Sequence, residues 1–226
     1  MNPVLGASGG RERSRGERGF TLLEITIILA VIAILGLILA PSVFNFLNQS
    51  RLARAQNDVR ILGDSVFEFF RDNGFHAQFA DGQREWHIAL LVSAGVVGEA
   101  RPGAEPWLNS DPNLIDFISN QLVNNRPSSG NIGYPLKTAL SGSGWNGPYL
   151  NAHMPSDPWG NRYVINVEHL SVNPGAFEAG GVQQKRAVWA LSAGPDGVFD
   201  TLYPSADAQL LGDAAASPLD ISARIQ

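Results

Sequence analysis

The hydrophobic pattern begins with a long apolar stretch and then becomes amphipathic. No formal charge occurs from Ile25 to Ser50, and residues 25–44 are almost wholly apolar. As a helix, these 20 residues span about 30 Å, the hydrocarbon thickness of a bilayer. A buried helix of a soluble protein rarely lacks a polar face over this length. The pattern therefore predicts a membrane-spanning helix at 20–44.

An amphipathic segment follows at 45–74. Apolar residues recur there at alternating intervals of three and four, which is one stripe of a helix. Gly74, after Asp72 and Asn73, is a helix stop signal. We therefore expect one helix from Phe20 to Asn73 whose second half packs on the chain's own C-terminal sheet. A coiled coil is the alternative, although fewer than three heptads are available. The stripe consists of Leu52, Ala55, Val59, Leu62, Val66 and Phe69.

Residues 75–144 carry a weaker pattern, which we interpret as a variable insertion with short helices. Residues 84–97 contain an apolar run that ends near a glycine, which predicts a first short helix. Residues 111–124 begin with Asp-Pro, which suits a helix cap and first turn, so a second short helix is predicted there. The stretch Ser141–Gly144 has the composition of a flexible linker.

The last segment, 145–226, predicts a small antiparallel sheet and an acidic C-terminal loop. Residues 162–167 and 186–192 alternate between apolar and other side chains, as strands do. Asp157–Gly160 has Asp, Pro and Gly at the positions that a type I turn favours. The predicted fold class is α+β, with the long N-terminal helix packed on one face of this sheet.

Composition excludes several classes of function. The chain has 226 residues, a formal net charge of −5 and no cysteine. A mildly acidic chain is a poor nucleic-acid binder, because that affinity comes from neutralising phosphates. Disulfides, thiolate nucleophiles and cysteine metal sites are excluded. The histidines are isolated and no nucleophile-elbow or phosphate-binding loop motif occurs, so we expect no enzymatic activity.

The segment before the apolar stretch is basic. Its 19 residues carry four arginines and two glutamates. Basic residues beside a first membrane helix hold that side in the cytoplasm, so we expect the C-terminal domain on the far side. A secretory signal peptide is the alternative. The apolar run is longer than such a signal has, and Ala40-Pro41 is a poor cleavage site.

Two residues of the apolar stretch are exceptional. Glu24 places a carboxylate at membrane depth, which costs about 2–3 kcal/mol and usually marks function. A glutamate near a helix N-terminus also suits the helix dipole, and the residues alone leave both interpretations open. Pro41 removes a helix hydrogen bond, so a kink or local melting is expected there.

The sequence GFTLLE before an apolar helix closely resembles the signature of type IV pilins and type II secretion pseudopilins. The resemblance implies that a prepilin peptidase cuts after Gly19 and N-methylates Phe20, so that 1–19 is a cleaved leader. It also implies that Glu24 pairs with the Phe20 ammonium of a neighbouring subunit, while Pro41 occupies the family's common proline position. An unpaired buried charge is costly, so such a pair would set the register of assembly.

The C-terminal segment resembles the major, G-type pseudopilin of the type II secretion system. The matching motifs are GWNGPYL, DPWGNRYVI and a strand leading into SAGPDG. The resemblance implies a Ca²⁺ site in the loop after the last strand, and Ca²⁺ prefers carboxylate and carbonyl oxygens. Asp196, Asp200 and Asp207 are the candidate ligands. A solvated acidic loop is the alternative.

These features give three functional hypotheses. The first is a structural subunit of a type II secretion pseudopilus, a periplasmic filament that drives export of folded proteins across the outer membrane. The resemblance then implies a single-pass inner-membrane protein whose partners are its own copies, minor pseudopilins, the prepilin peptidase, the inner-membrane assembly platform and the bilayer.

The second hypothesis is a subunit of a surface type IV pilus for adhesion, motility or DNA uptake. Many such pilins close a C-terminal loop with a disulfide, which this chain cannot form. The third is a membrane-anchored enzyme or sugar-binding module. It does not explain why Glu24 and Pro41 lie at pilin spacing from Gly19.

Overall fold

The computed structural model describes residues 19–74, 88–127, 133–170, 178–179, 182–183, 188–203 and 220–225. Contacts between residues divide the chain into two units, Met1–Leu47 and Asn48–Gln226.

The first unit contains the beginning of one long helix, α1, which runs from Leu22 to Asn73. The predicted helix is thus confirmed, although it begins at Leu22 rather than at Phe20. Pro41 lies inside α1, and the helix is not melted there in this structure. Residues 19–47 are all exposed. This part of α1 is long and apolar enough to cross a membrane, and none of the qualifying stretch is buried.

The second unit is built on a five-stranded sheet with the order β3-β1-β4-β7-β9. Separate two-stranded pairs join β2 to β8 and β5 to β6. A short helix, α2 (Ile118–Leu122), follows β3. The strands are β1 (Leu90–Val92), β2 (Glu99–Ala100), β3 (Ile115–Phe117), β4 (Tyr163–Ile165), β5 (Glu178–Ala179), β6 (Val182–Gln183), β7 (Trp189–Ser192), β8 (Val198–Phe199) and β9 (Ile221–Arg224).

The sheet is mixed rather than purely antiparallel. The predicted strand pair is present, since β4 and β7 are antiparallel with Tyr163 opposite Ser192. β1 and β3, however, run parallel, with Leu91 opposite Asp116. The tail assigned to an acidic loop also supplies β9, which pairs antiparallel with β7.

The predicted helix at 84–97 is wrong over its described part, 88–97, which holds β1 and no helix. Leu90–Val92 is buried on both faces, and such a strand has no alternation that distinguishes it from a buried helix. Residues 84–87 lie outside the described residues.

The predicted helix at 111–124 is wrong in its first half. Asp111 Oδ1 accepts the Asn113 N–H at 2.9 Å, which forms a turn before β3. Asp116 lies within β3, and its Oδ1 accepts the Phe117 N–H at 2.7 Å.

The core has two layers, one on each face of the sheet. On the helix side, the α1 stripe packs with Leu91, Tyr163, Ile165 and Ala190, as predicted. Tyr163 also donates a hydrogen bond of 2.8 Å to Asp58 Oδ2 on α1. The buried members of the stripe are Ala55, Val59, Leu62, Val66 and Phe69, while Leu52 remains 41% exposed.

The opposite face of the sheet is covered by loops and a short 3-10 helix at Glu105–Leu108. The buried cluster there contains Val164, Leu191, Trp107 and Phe199. Because both faces are covered, every residue of the central strands β1, β4 and β7 is buried.

Candidate assembly site

The start of α1 is closed by a reciprocal pair of hydrogen bonds between Thr21 and Glu24. Thr21 Oγ1 accepts the Glu24 N–H at 3.2 Å. Glu24 Oε2 accepts the Thr21 N–H at 3.0 Å and the Thr21 hydroxyl at 3.1 Å. This is a capping box, which satisfies two N–H groups that a helix N-terminus otherwise leaves unpaired.

The sequence reasoning identified Glu24 but missed the role of Thr21. The signal was present, because Ser or Thr followed three residues later by Glu is the pattern of a capping box. The structure adds that Glu24 is exposed while its carboxylate is bonded to Thr21. This carboxylate can therefore exchange its local partner for an external cation without any rearrangement of a packed core.

Gly19 and Phe20 precede this capping box in an exposed segment. Both residues are exposed, and a side-chain carbon placed on Gly19 would meet nothing within 4 Å. The bond between these two residues is therefore not covered by any other described part of the chain. Pro41 is likewise exposed and lies within α1.

The C-terminal end of α1 is tied to the loop that follows α2. Lys137 Nζ lies 2.8 Å from Asp72 Oδ1, and the Tyr149 hydroxyl donates to Asp72 Oδ2 at 3.4 Å. The hydrogen bond from Lys137 lowers the pKa of Asp72 below its usual range. The Asp72–Lys137 ion pair thus holds the loop to the helix as long as Asp72 is ionised.

The DPWGN motif ties β4 to the loop after β7. Gly160 N–H donates to Asp157 O at 3.0 Å, so the predicted turn is confirmed. The buried Asp157 carboxylate accepts the Asn161 N–H at 2.8 Å and the Ser192 hydroxyl at 2.7 Å. The motif is therefore a structural clamp, in which Asn161 also donates to Gly194 O at 3.0 Å.

The candidate calcium ligands lie in different surroundings. Asp196 is exposed and its Oδ1 accepts the Val198 N–H at 3.3 Å. Asp200 forms an ion pair with Arg101, and its Oδ2 is buried without a hydrogen-bond partner. Asp207 lies outside the described residues. Within the part of the chain that the structure describes, no three His, Cys, Asp or Glu side chains form a group able to hold a metal.

Asp220 is an additional carboxylate beside Asp200. Its Oδ2 accepts the Asp200 N–H at 3.0 Å and the Thr201 N–H at 2.6 Å. Burial raises the pKa of Asp220. Sequence spacing did not select Asp220, because 20 residues separate it from Asp200 and only the fold brings them together.

Two comparisons with known proteins show a similarity to protein G of the type II secretion system. The family model described as protein G of the type II secretion system matches residues 134–199. The chain is 24% identical over 185 residues to the type II secretion system core protein G of Escherichia coli (strain K12), covering 82% of this chain and 86% of that protein.

A second match is to a pilin. The chain is 33% identical over 65 residues to the type IV major pilin protein PilA of Myxococcus xanthus (strain DK1622), covering 29% of this chain and 30% of the pilin. No solved structure gives a significant match. The similarity to protein G therefore extends over most of the chain, whereas the similarity to the pilin is local.

Proposed function

We propose, from the premise that the chain is a type IV pilin-like protein homologous to protein G of the type II secretion system, that it is the major subunit of a pseudopilus. The pseudopilin role is favoured over a surface pilus, because the similarity to protein G covers most of the chain. In this role the chain is a structural component, and it performs no chemistry of its own.

The observation that carries this proposal is the exposed apolar beginning of α1. Residues 22–47 have no packing partner among the described residues of the chain. Such a surface requires lipid or other apolar helices. A pseudopilin uses both in turn, since its helix lies in the bilayer before assembly and in a bundle with its copies afterwards.

Cleavage and the charge at Glu24 are the second part of the proposal. Removal of 1–19 after Gly19 leaves an ammonium on Phe20, which the peptidase then methylates. In the filament Glu24 exchanges its bond with the Thr21 N–H for the Phe20 ammonium of a neighbouring copy. Because a misplaced subunit would bury both charges unpaired, this pair selects the correct axial register.

The proposed location follows from the basic leader. Its arginines hold the N-terminus in the cytoplasm, so the chain is a single-pass protein of the inner membrane with its folded unit in the periplasm. The partners in this proposal are other copies of the chain, minor pseudopilins, the prepilin peptidase and the inner-membrane assembly platform. Nucleic acid is not among them, because the chain is acidic.

A Ca²⁺ ion in the C-terminal loop is proposed as a structural cofactor. The buried Asp200 Oδ2 has no hydrogen-bond partner, and the Asp220 carboxylate contacts the same backbone. Both features fit a hard cation that takes oxygen ligands. Asp200 and Asp220 would hold the ion, with Asp196 and Asp207 as further candidates. The ion would supply no chemistry beyond fastening this loop.

The experiment that tests the function compares the secreted proteins of a strain lacking this gene with those of its parent, by quantitative mass spectrometry. We expect selective loss of several exported proteins, restored by the wild-type gene and by Glu68→Ala but not by Glu24→Ala. Glu68 is the matched control because it is an exposed glutamate on the same helix. If the secreted proteins are unchanged and surface pili are lost, the chain is instead a subunit of a surface type IV pilus.

A further inference from the structure

An apolar recess lies beside the first residues of α1 that belong to the second unit. Helix α1 supplies one wall of this recess, and two loops of the sheet supply the other. Leu52 is 41% exposed there, whereas the other five members of the predicted helix stripe are buried. The Trp159 recess, as we call it, has a volume of about 320 Å³ and is lined by Asn48, Gln49, Leu52, Trp159 and Pro195.

The two loops that line the Trp159 recess are joined by hydrogen bonds. Trp159 N–H donates to Asp157 Oδ1 at 3.0 Å, and the Trp159 side chain is half-buried against the helix-side core. Asn161 Nδ2 donates to Gly194 O at 3.0 Å, which ties this turn to the short 3-10 helix that carries Pro195. The recess is therefore preformed, so little conformational freedom is lost when it is occupied.

The position of the recess along the chain places it beside a membrane. Leu47 is the last apolar residue of the uncharged stretch, and Asn48 follows it directly. Leu52 comes five residues after Leu47, which is about 7.5 Å along a helix. Each headgroup layer of a bilayer is about 5–8 Å thick. When the apolar part of α1 spans the bilayer, the helix wall of the recess therefore lies at the level of the lipid headgroups.

The first charges after the apolar stretch are both positive. Between Ile25 and Asn57 the only charged residues are Arg51 and Arg54, and both are exposed. Arg54 lies 3.6 Å from Asp58, whereas Arg51 has no carboxylate partner among the described residues. An arginine can lay its apolar stem along a membrane surface while its guanidinium contacts phosphate. A cation able to reach lipid phosphates thus directly precedes Leu52.

We propose that the Trp159 recess docks the folded unit on the bilayer surface, with Leu52 and Trp159 in the headgroup layer and Arg51 on a phospholipid phosphate. Tryptophan is enriched at this depth, because its ring is apolar while its N–H can still meet water. Apolar area and attraction to anionic lipid act together in such surface contacts. This inference rests on the proposed function, since it requires α1 to lie in a bilayer before assembly.

The lipid surface is the occupant that the chain itself brings to the recess. Every copy whose α1 crosses a bilayer meets phospholipid at this depth, since the recess begins one residue after the apolar stretch. The combination of an apolar hollow and a cation matches the two parts of a phospholipid. Docking would hold the folded unit in one orientation before a copy joins the filament.

The absence of cysteine in this chain allows a single fluorophore to be placed at a chosen position. Full-length Pro195→Cys carries an NBD label and is reconstituted into vesicles of phosphatidylethanolamine and phosphatidylglycerol with a nitroxide on the lipid headgroup. Pro195 is exposed and lies on a loop rather than on α1, so its label reports docking of the folded unit. We expect strong quenching of the emission from this label.

Two further labelled chains serve as controls. Ala139→Cys is exposed in a loop that is tied to Asp72 through the Gly144 N–H, and about 30 Å of helix separates Asp72 from the recess. Its label should show little quenching. Phe44→Cys lies within the apolar stretch, and a nitroxide on the lipid acyl chain should quench its label whether or not the folded unit docks.

Matched substitutions in the labelled Pro195→Cys chain test the two kinds of contact. Leu52→Glu should weaken the quenching, while Ile61→Glu should not, since both side chains are 41% exposed on the same helix. Arg51→Ala should lower the ratio of docked to undocked chains about fivefold, the effect of one arginine near an anionic membrane surface. Arg60→Ala is its control, because Arg60 is also exposed on α1.

A measurement without any label guards against disturbance of the loop at Pro195. Brominated lipids should quench part of the tryptophan emission of the wild-type chain, and Trp159→Phe should remove that part. Equal quenching at Pro195 and Ala139, with Phe44 still quenched, would overturn the docking and leave the proposed function intact. A label at Phe44 that no lipid quenches would show that α1 does not enter the bilayer, and would overturn both.

Discussion

The two parts of α1 carry the same kinds of side chain in opposite surroundings. Leu62 is fully buried against the sheet, while Leu35, on the same helix, is 52% exposed. The first unit thus has an apolar surface that no other described residue covers. In the second unit, the apolar stripe of α1 is buried against the sheet. We therefore expect substitutions in the first part to act on insertion and assembly, and substitutions in the second part to act on folding.

The largest expected effect is on the folded unit, from Leu62→Ala. Removing a buried leucine side chain costs about 2–5 kcal/mol, so we expect the melting temperature to fall by roughly 5–15 °C. Leu35→Ala is the matched control and should change it by less than about 1 °C. Both are measured by thermal unfolding of the full chain in detergent. Equal losses from both substitutions would contradict the division between the two parts.

The next effect concerns the proposed calcium ion. At a concentration one hundred times its dissociation constant, a bound ion stabilises the fold by about 2.7 kcal/mol. Ca²⁺ should therefore raise the melting temperature of the wild-type chain and have little effect on Asp200→Asn. Glu68→Gln serves as the control for loss of an exposed carboxylate. A wild-type melting temperature that is the same in Ca²⁺ and in a chelator would argue against the site.

A smaller effect is expected at the Asp72–Lys137 ion pair. Asp72→Asn should cost about 1–3 kcal/mol, because a charged hydrogen bond to Lys137 is lost. The pKa of Asp72 is lowered in the folded state, so this contribution is present above the unfolded pKa, near about 4. It is lost as the pH falls through the folded value.

The measurement is the difference in unfolding free energy between wild type and Asp72→Asn as a function of pH. We expect a constant difference at neutral pH and a shrinking one below about pH 4. A difference that grows on acidification has the opposite sign and would refute this role of Asp72.

The smallest effect is expected from Thr21→Ala at the beginning of α1. Loss of a capping side chain costs a helix about 1 kcal/mol, so filament yield should fall only a few-fold. Thr21→Ser, which keeps the hydroxyl, should give the same filament yield as the wild-type chain. Glu24→Ala should eliminate filaments, because it removes the charge as well as the cap. Equal yields from Thr21→Ala and Glu24→Ala would mean that capping alone explains the role of Glu24.

The sequence predicted those features whose signal is local. The stripe from Ala55 to Phe69 has helical periodicity, and the Asp157 turn has a residue at each diagnostic position, so both were found. β1 was missed because it is apolar on both faces, and β9 because the aspartates of the tail favoured a loop. These strands are specified by their partners in the sheet, which periodicity does not reveal.

In the candidate site, too, residues with a local sequence signal could be predicted and residues brought together by folding could not. Glu24 is conspicuous as a charge in an apolar stretch. The spacing of Thr21 and Glu24 also matches a capping box, although the sequence analysis did not use it. The neighbourhood of Asp200 and Asp220 depends on chain folding, and the turn at Thr138–Ser141 depends on side-chain hydrogen bonds. There, composition indicated a flexible segment, while hydrogen bonds between Thr138 and Ser141 determine the conformation.

In the proposed function, the exposed apolar part of α1 becomes the core of a filament after cleavage. The most direct test of this step is mass spectrometry of the N-terminus of this chain in filaments sheared from its own host. We expect filaments whose principal protein begins at an N-methylated Phe20, and their absence from a Glu24→Ala strain. A chain that retains residues 1–19 and is found only as a membrane monomer would contradict it.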